Sequence, residues 1–436
     1  VRRAAVALLT LLVCVGGALW WLRAGEPPAP PVEAPPVKAE RAEDEEAEDP
    51  DLPGKWRKAR KRPDLTPEQE AEIERLEAIG YADGTQAVGA HETITVYDRA
   101  RASAGLNLYN SGHASEAILM DMEGKVLHTW KARWTEVFPD IEVKPGAPGT
   151  NHWRRVKLLP DGSVVAIFEG RGMVRVDRDS RILWAQPNKA HHELALHGDQ
   201  LLVLTREAGL VPEFDKKRPV LQDFVETRTL DGALVSRFSL LEALLASEHR
   251  ALLDGRSHDG DLFHTNSIER LDGRFVKVDP AFREGNLLVS MRNLDAVGVV
   301  DPAAKRFVWL LRGEFRKQHD ANLVEDGLAL FDNSGNPRWS RGFILDPKGG
   351  APRWTFSGSP QRPFKSGTLG TIQVLPNRNV LLTESDGGRA IELTREGEVV
   401  WEMYNPHRAG EGGELIAALF EVVRLDPAEV ASWLKR

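Results

Sequence analysis

The chain has 436 residues, more than one ordinary core needs, so several segments are expected. Its net charge of −8 gives no reason to expect a nucleic-acid partner. A single cysteine, Cys14, excludes an intramolecular disulfide, so an apolar core must hold the fold.

Arg2 and Arg3 precede an uncharged stretch, residues 4–22, with Trp20 and Trp21 near its far end. That length approaches the roughly 20 apolar residues needed to span a bilayer. The flanking arginines and the aromatic pair predict an N-terminus inside and the remaining chain outside. The competing expectation is a signal peptide cleaved near Ala24. The stretch is long and Ala24 a poor site, which favours a retained transmembrane anchor over residues 1–24. Lipidation at Cys14 is disfavoured, because Val13 stands where a small residue is needed and apolar residues continue beyond. Both main expectations export the body of the protein to the periplasmic or extracellular side.

Residues 25–64 read as a linker. Residues 26–37 are rich in proline, alanine and valine, 39–51 are acidic and 55–62 basic. Such blocks extend and solvate rather than pack, which suits a disordered spacer better than a binding tail. A short helix is expected within residues 65–92. Thr66 suits its N-cap, Pro67 its first position and Gln69 the capping-box partner. Ile73, Leu76 and Ile79 share one face, and Gly80 ends the helix.

From Thr93 the pattern becomes short β-type runs between Asp-Gly, Asn and Pro turns. A unit recurs: an opening run at 155–162, a second at 164–168, a third at 172–176, then a closing run ending in Trp184. The closing aromatics are Trp130, Trp184, Phe238, Trp309, Trp354 and Trp401. Their spacing matches a four-stranded propeller blade, so residues 93–436 are expected to form an all-β, six-bladed β-propeller. A solenoid is the rival architecture. However, residues 419–426 resemble an opening strand placed after the last closing run, while the first unit lacks one. A C-terminal strand completing the first blade would seal a ring, and a solenoid has no use for it.

Opening strands of a propeller line its channel. Here they are preceded or begun by His152-Trp153, His191-His192, His264-Thr265-Asn266 and His319-Asp320, while the next blade offers Gly370-Thr371. Scattered structural histidines would not recur at one place in four consecutive blades. Arg292 follows the second run of the blade that contains His264 and joins the group. No phosphate-binding loop, dinucleotide fingerprint or nucleophile elbow is present, and no cofactor is expected. Asp332-Asn333-Ser334-Gly335-Asn336 resembles a calcium loop but lacks the downstream acidic ligand. Histidine, asparagine and arginine at one mouth suit an anionic group. A metal held by the imidazoles is disfavoured by Arg292 and by the want of an evident carboxylate partner. A non-catalytic binding or scaffolding propeller is the other alternative.

Four motifs resemble the bacterial arylsulfotransferases: Ala190-His191-His192-Glu193, Phe263-His264-Thr265-Asn266, Ser290-Met291-Arg292-Asn293-Leu294-Asp295-Ala296 and Gln318-His319-Asp320. The resemblance spans roughly residues 93–406. It implies sulfuryl transfer from an aryl sulfate ester to a phenol without a nucleotide donor. It also implies that His319 is transiently sulfated, that His264 and Asn266 form a sulfate-binding pair, and that Arg292 assists. One of His191 and His192, with His192 preferred, matches a further histidine at the mouth. An anchor, linker and short helix stand where well-known members carry a β-sandwich, which leaves acceptor choice and oligomeric state open.

Overall fold

Runs such as Val164–Phe168, Leu287–Met291, Gly327–Asp332 and Val380–Glu384 are buried along their whole length. Strands covered on both faces need near-continuous apolar sequence. Outermost runs such as Leu234–Ser239 are mostly exposed and carry polar residues between apolar ones. In the computed structural model these runs build six antiparallel sheets, each with four strands from the channel outward. The structure describes residues 92–143, 147–211, 213–254, 261–410 and 413–434. The anchor, the linker and the short helix expected before Thr93 lie outside these residues. Among the described residues, no helix is long and apolar enough to cross a membrane.

Blades 2 to 6 begin with Arg155–Leu158, Ala190–His197, Thr265–Arg270, His319–Val324 and Thr371–Val374. Blade 1 takes its innermost strand from the end of the chain: Leu419–Leu425 pairs antiparallel with Leu106–Ser111, Leu425 opposite Leu106. The expected ring closure is therefore present. One strand departs from the repeat. Ile94–Tyr97 adds a fifth, outer strand to blade 6, paired with Val399–Tyr404.

The closing tryptophans do more than fill the core, because each indole N–H must find an acceptor when buried. Trp130 donates to the Gly162 carbonyl at 2.9 Å, Trp184 to Leu230 at 2.9 Å, Trp354 to Arg395 at 3.0 Å and Trp401 to Met122 at 3.0 Å. Every acceptor lies in a turn of the following blade, so these aromatics stitch neighbours together. Blade 3 is enlarged: Gln200–Val211 and Asp215–Thr229 run past the sheet as a long hairpin. Helix Leu240–Leu245 follows its last strand, which explains the wider spacing before Trp309.

Arg424 secures the closing strand. Its guanidinium reaches Glu392 of blade 6 at 2.9 Å, Asn107 of blade 1 at 2.7 Å and the Ser103 carbonyl. Both charged partners are buried. Removing one member of such a pair strands the other in a low-dielectric site. Glu392→Ala is expected to cost about 3–5 kcal/mol and to lower the melting temperature by several degrees, read by circular dichroism. An unchanged melting temperature would contradict this role.

Candidate active site

Two kinds of position meet at one mouth of the channel: the start of each innermost strand and the residue just past each second strand. The innermost strands begin with a sharp backbone reversal. His192, His264 and Asp320 have φ of 55°, 48° and 54°, and Gly370 takes 98°. Left-handed backbone in non-glycine residues is costly and gathers at functional sites. Past the second strands stand Glu169 in blade 2, Arg292 in blade 4 and Asn333 in blade 5.

His319 is buried, 3 % exposed. Its Nδ1 lies 2.8 Å from Asn333 Oδ1 and 3.1 Å from the Lys317 carbonyl. The Asn333 amide cannot reverse, because its NH2 donates to the carbonyls of Ser366 at 2.9 Å and Leu369 at 2.7 Å. Asn333 therefore presents an acceptor, and a neutral His319 carries its proton on Nδ1 with a lone pair on Nε2. Burial, reinforced by the Arg292 charge, holds the imidazole pKa well below its ordinary value.

His192 and His264 form a chain between two carboxylates. His264 Nδ1 is 2.5 Å from Asp261 Oδ2, and its Nε2 is 3.0 Å from His192 Nε2. His192 Nδ1 is 3.1 Å from Glu169 Oε1. Two neutral imidazoles bring two ring protons to these three contacts. One contact is then always short of a hydrogen, and a third proton would complete the chain against two carboxylates. Burial holds the His192 pKa well below its ordinary value, so a third proton belongs at the His264 end of the row, against Asp261. His191 Nδ1 stands 2.9 Å from His192 Nδ1 and competes with Glu169 for that nitrogen. Burial lowers the His191 pKa to about 3 and raises that of Asp223, 3.5 Å from His191 Nε2, to about 7. Burial also pushes the Glu169 carboxyl up, but His192, Arg206 and Arg154 outweigh it and hold it well below the usual range.

Asn266 donates one amide hydrogen to the Gln318 carbonyl at 2.7 Å, beside His319, so only its second is available to an anion. Arg292 opens a 3₁₀ turn, Arg292–Leu294, and its Nη1 donates to Asn293 at 3.0 Å. Arg154, 3 % exposed, adds a second cation near His319 and His192. Its Nη1 is buried without a hydrogen-bond partner among the described residues, and its Nε is 3.9 Å from Glu169. His152, by contrast, packs on the Phe420 ring at 4.8 Å. The carboxylates missing from the sequence reading are present as Glu169, Asp223 and Asp261. Glu169, His191 and His192 offer ligand atoms within 4.8 Å of one another, a set that could hold a metal, though Arg154 and Arg206 already bear on its carboxylate.

Residues 155–406, more than half of the chain, match the arylsulfotransferase (ASST) family. This chain belongs to the arylsulfotransferase family. No curated protein matches it. Among solved structures, a Bacteroides caccae protein of unknown function is 12 % identical with a TM-score of 0.43, covering 73 % of this chain and 98 % of its own. A streptogramin B lyase is 10 % identical with a TM-score of 0.39, covering 78 % of this chain and 95 % of its own. Virginiamycin B lyase from Staphylococcus aureus is 12 % identical with a TM-score of 0.34, covering 58 % and 69 %. Likeness this distant bears on no chemistry.

In this member of the family, His191, His192, His264, Asn266, Arg292 and His319 all stand at one mouth of the channel. Asn333, Arg154, Glu169, Asp223 and Asp261 were not foreseen. Asn333 and Glu169 occupy the position in their blades that Arg292 occupies in its own, so that rule applied to every blade would have found them. His319 is expected to stay neutral and Nδ1-protonated as pH falls through about 6.5, followed by nitrogen NMR of the ring. Asn333→Ala should mix the two tautomers. An imidazolium already formed at pH 6.5 would contradict the geometry.

Proposed function

We propose that this arylsulfotransferase moves a sulfuryl group from an aryl sulfate ester to a phenol through a sulfohistidine at His319. The observation that carries the reading is the Asn333 contact, which leaves the Nε2 lone pair of a buried neutral imidazole beside Arg292 and Arg154. Neutral imidazole is a competent nucleophile near pH 7, and the two guanidinium groups suit the sulfuryl oxygens.

In the first half-reaction the Nε2 lone pair attacks sulfur in line, and the bond from sulfur to the aryl oxygen breaks. The electron pair leaves on that oxygen, which takes the third proton of the row from His264 and leaves both imidazoles neutral. In the second, the acceptor phenol returns a proton to the row as its oxygen attacks sulfur, and the bond to Nε2 breaks. Charge spreads over the sulfuryl oxygens in a loose transition state, by analogy with phosphoryl transfer, so positioning and cationic donors carry most of the catalysis. Arg292, Arg154 and the free N–H of Asn266 hold those oxygens. His264, with 23 % of its side chain exposed, stands nearest to solvent of the row and meets the leaving oxygen, with His192 behind it and His191 supporting. No nucleotide or other cofactor enters these steps.

Steady-state kinetics with a chromogenic aryl sulfate and a panel of phenols should give the parallel lines of a ping-pong reaction. His319→Ala should lower the rate by at least about 10³-fold, and Arg292→Ala or Arg154→Ala by about 10²–10³-fold. Asn333→Ala should lower kcat by about 10²-fold with little change in KM, as expected for a positioning residue. Full activity in His319→Ala would overturn the proposal.

The reading includes residues 1–24 as a membrane anchor that holds the propeller outside the cytoplasm. Its support is the Arg2-Arg3 pair followed by the uncharged residues 4–22. The protein should sediment with membranes after salt washing, and protease added outside the cytoplasmic membrane should digest its propeller. Recovery in the soluble cytoplasmic fraction would contradict that placement.

A further inference from the structure

A second group of imidazoles, none of them in the row just described, lies at the seam where the ring closes. His113 and Glu116 flank the turn between Leu106–Ser111 and Glu116–Met120, the second and third strands of blade 1. His407 lies on the segment that leaves blade 6 and leads to the closing strand Leu419–Leu425. Blade 1 thus places His113 two residues past its second strand, at the same end of the blade as Glu169, Arg292 and Asn333 in theirs.

The His113 and His407 rings stack at 3.3 Å with 9° between their planes. His113 Nε2 is 2.6 Å from Glu116 Oε1, and its Nδ1 is 2.5 Å from Ser111 Oγ. One ligand atom from each of His113, Glu116 and His407 lies within 4.8 Å of the others. A second observation is independent of that clustering. His407 Nε2 is buried and has no hydrogen-bond partner among the described residues. Burying a polar atom without a partner is unfavourable, and a metal ion is one way to satisfy an imidazole nitrogen.

We propose that His113, Glu116 and His407 bind a divalent transition-metal ion, best Zn2+, that ties blade 1 to the segment leaving blade 6. Two imidazoles and one carboxylate form a ligand set that zinc favours. Zinc holds such ligands at about 2.0–2.2 Å, so any two are at most about 4.4 Å apart. On binding, the two stacked rings must tilt out of parallel so that both lone pairs meet the ion. A neutral His113 that donates its Nδ1 hydrogen to Ser111 Oγ keeps Nε2 bare for the metal. Ser111 then acts as the outer partner that orients a ligating imidazole. The fourth position falls to water, since Glu116 keeps 20 % of its side chain exposed. The ligands come from opposite ends of the propeller sequence, so the ion reinforces the seam that Leu419–Leu425 closes. None of its three ligands belongs to the set proposed for sulfuryl transfer at His319.

The test titrates the metal-free full-length chain with Zn2+ by calorimetry and follows its melting temperature. The wild type should bind one equivalent through this site and melt at a higher temperature with zinc than without. His407→Ala and Glu116→Gln should each lose that equivalent and the melting shift, whereas His192→Ala should keep both. Co2+ gives a second measurement on unaltered protein, with visible absorption expected for nitrogen and oxygen ligands in a four-coordinate site. Wild-type protein that binds neither ion overturns the proposal. So does a zinc equivalent that survives His407→Ala, or one that vanishes in His192→Ala, which would move the metal to the Glu169, His191 and His192 set.

Discussion

The pairing of Leu419–Leu425 with Leu106–Ser111 is the constraint on which the rest depends. Without it blade 1 would offer an open edge, and the blades could splay. With it, six sheets share one axis, and side chains from blades that are distant in sequence are held within hydrogen-bonding range. The seam is reinforced by buried charge, since Arg424 on the closing strand reaches Glu392 in blade 6 and Asn107 in blade 1. A comparable contact lies inside the channel, where Arg155 of blade 2 bridges Glu193 of blade 3 at 2.7 Å and Glu421 of blade 1 at 2.5 Å. Three innermost strands are joined by one guanidinium.

Closure matters chemically because no single blade holds a working set. His319 and Asn333 come from blade 5, Arg292 and His264 from blade 4, His192 from blade 3, and Arg154 and Glu169 from the blade 2 side. Burial removes the charge from the His319 imidazole, and the fixed amide of Asn333 decides which nitrogen keeps the lone pair. Carboxylates at both ends of the His264–His192 row balance a proton that the row could carry. Cations thus face the nucleophile, and anions sit behind the acid–base row. That division suits a reaction in which negative charge moves from the sulfuryl oxygens towards a departing phenolate.

Much of this was legible in the sequence, for a physical reason. A blade repeats because each must bury two faces and meet its neighbour, so closing aromatics such as Trp130, Trp184 and Trp401 recur and mark the period. The strand starts that carry His191, His264 and His319 could be read from the same period. Carboxylates and amides were harder. Asp223 and Asp261 belong to the enlarged hairpin and to the connection between blades 3 and 4, where the repeat is interrupted. Asn333 was visible within Asp332-Asn333-Ser334-Gly335-Asn336, but there it suggested only a failed calcium loop. Its task rests on two carbonyls, Ser366 and Leu369, which no local pattern brings near. The fifth strand of blade 6, Ile94–Tyr97, broke the repeat because it is an addition to a sheet already complete.

A buried neutral imidazole with its lone pair on Nε2 is the centre of the account. Mass spectrometry of protein mixed with an aryl sulfate in the absence of acceptor, quenched under alkaline conditions, tests it most directly. The account predicts one added sulfuryl group on the peptide that contains His319, lost again when a phenol is supplied. An unmodified His319 in a protein preparation that is active once phenol is added, or a sulfuryl group on a different residue, would contradict it.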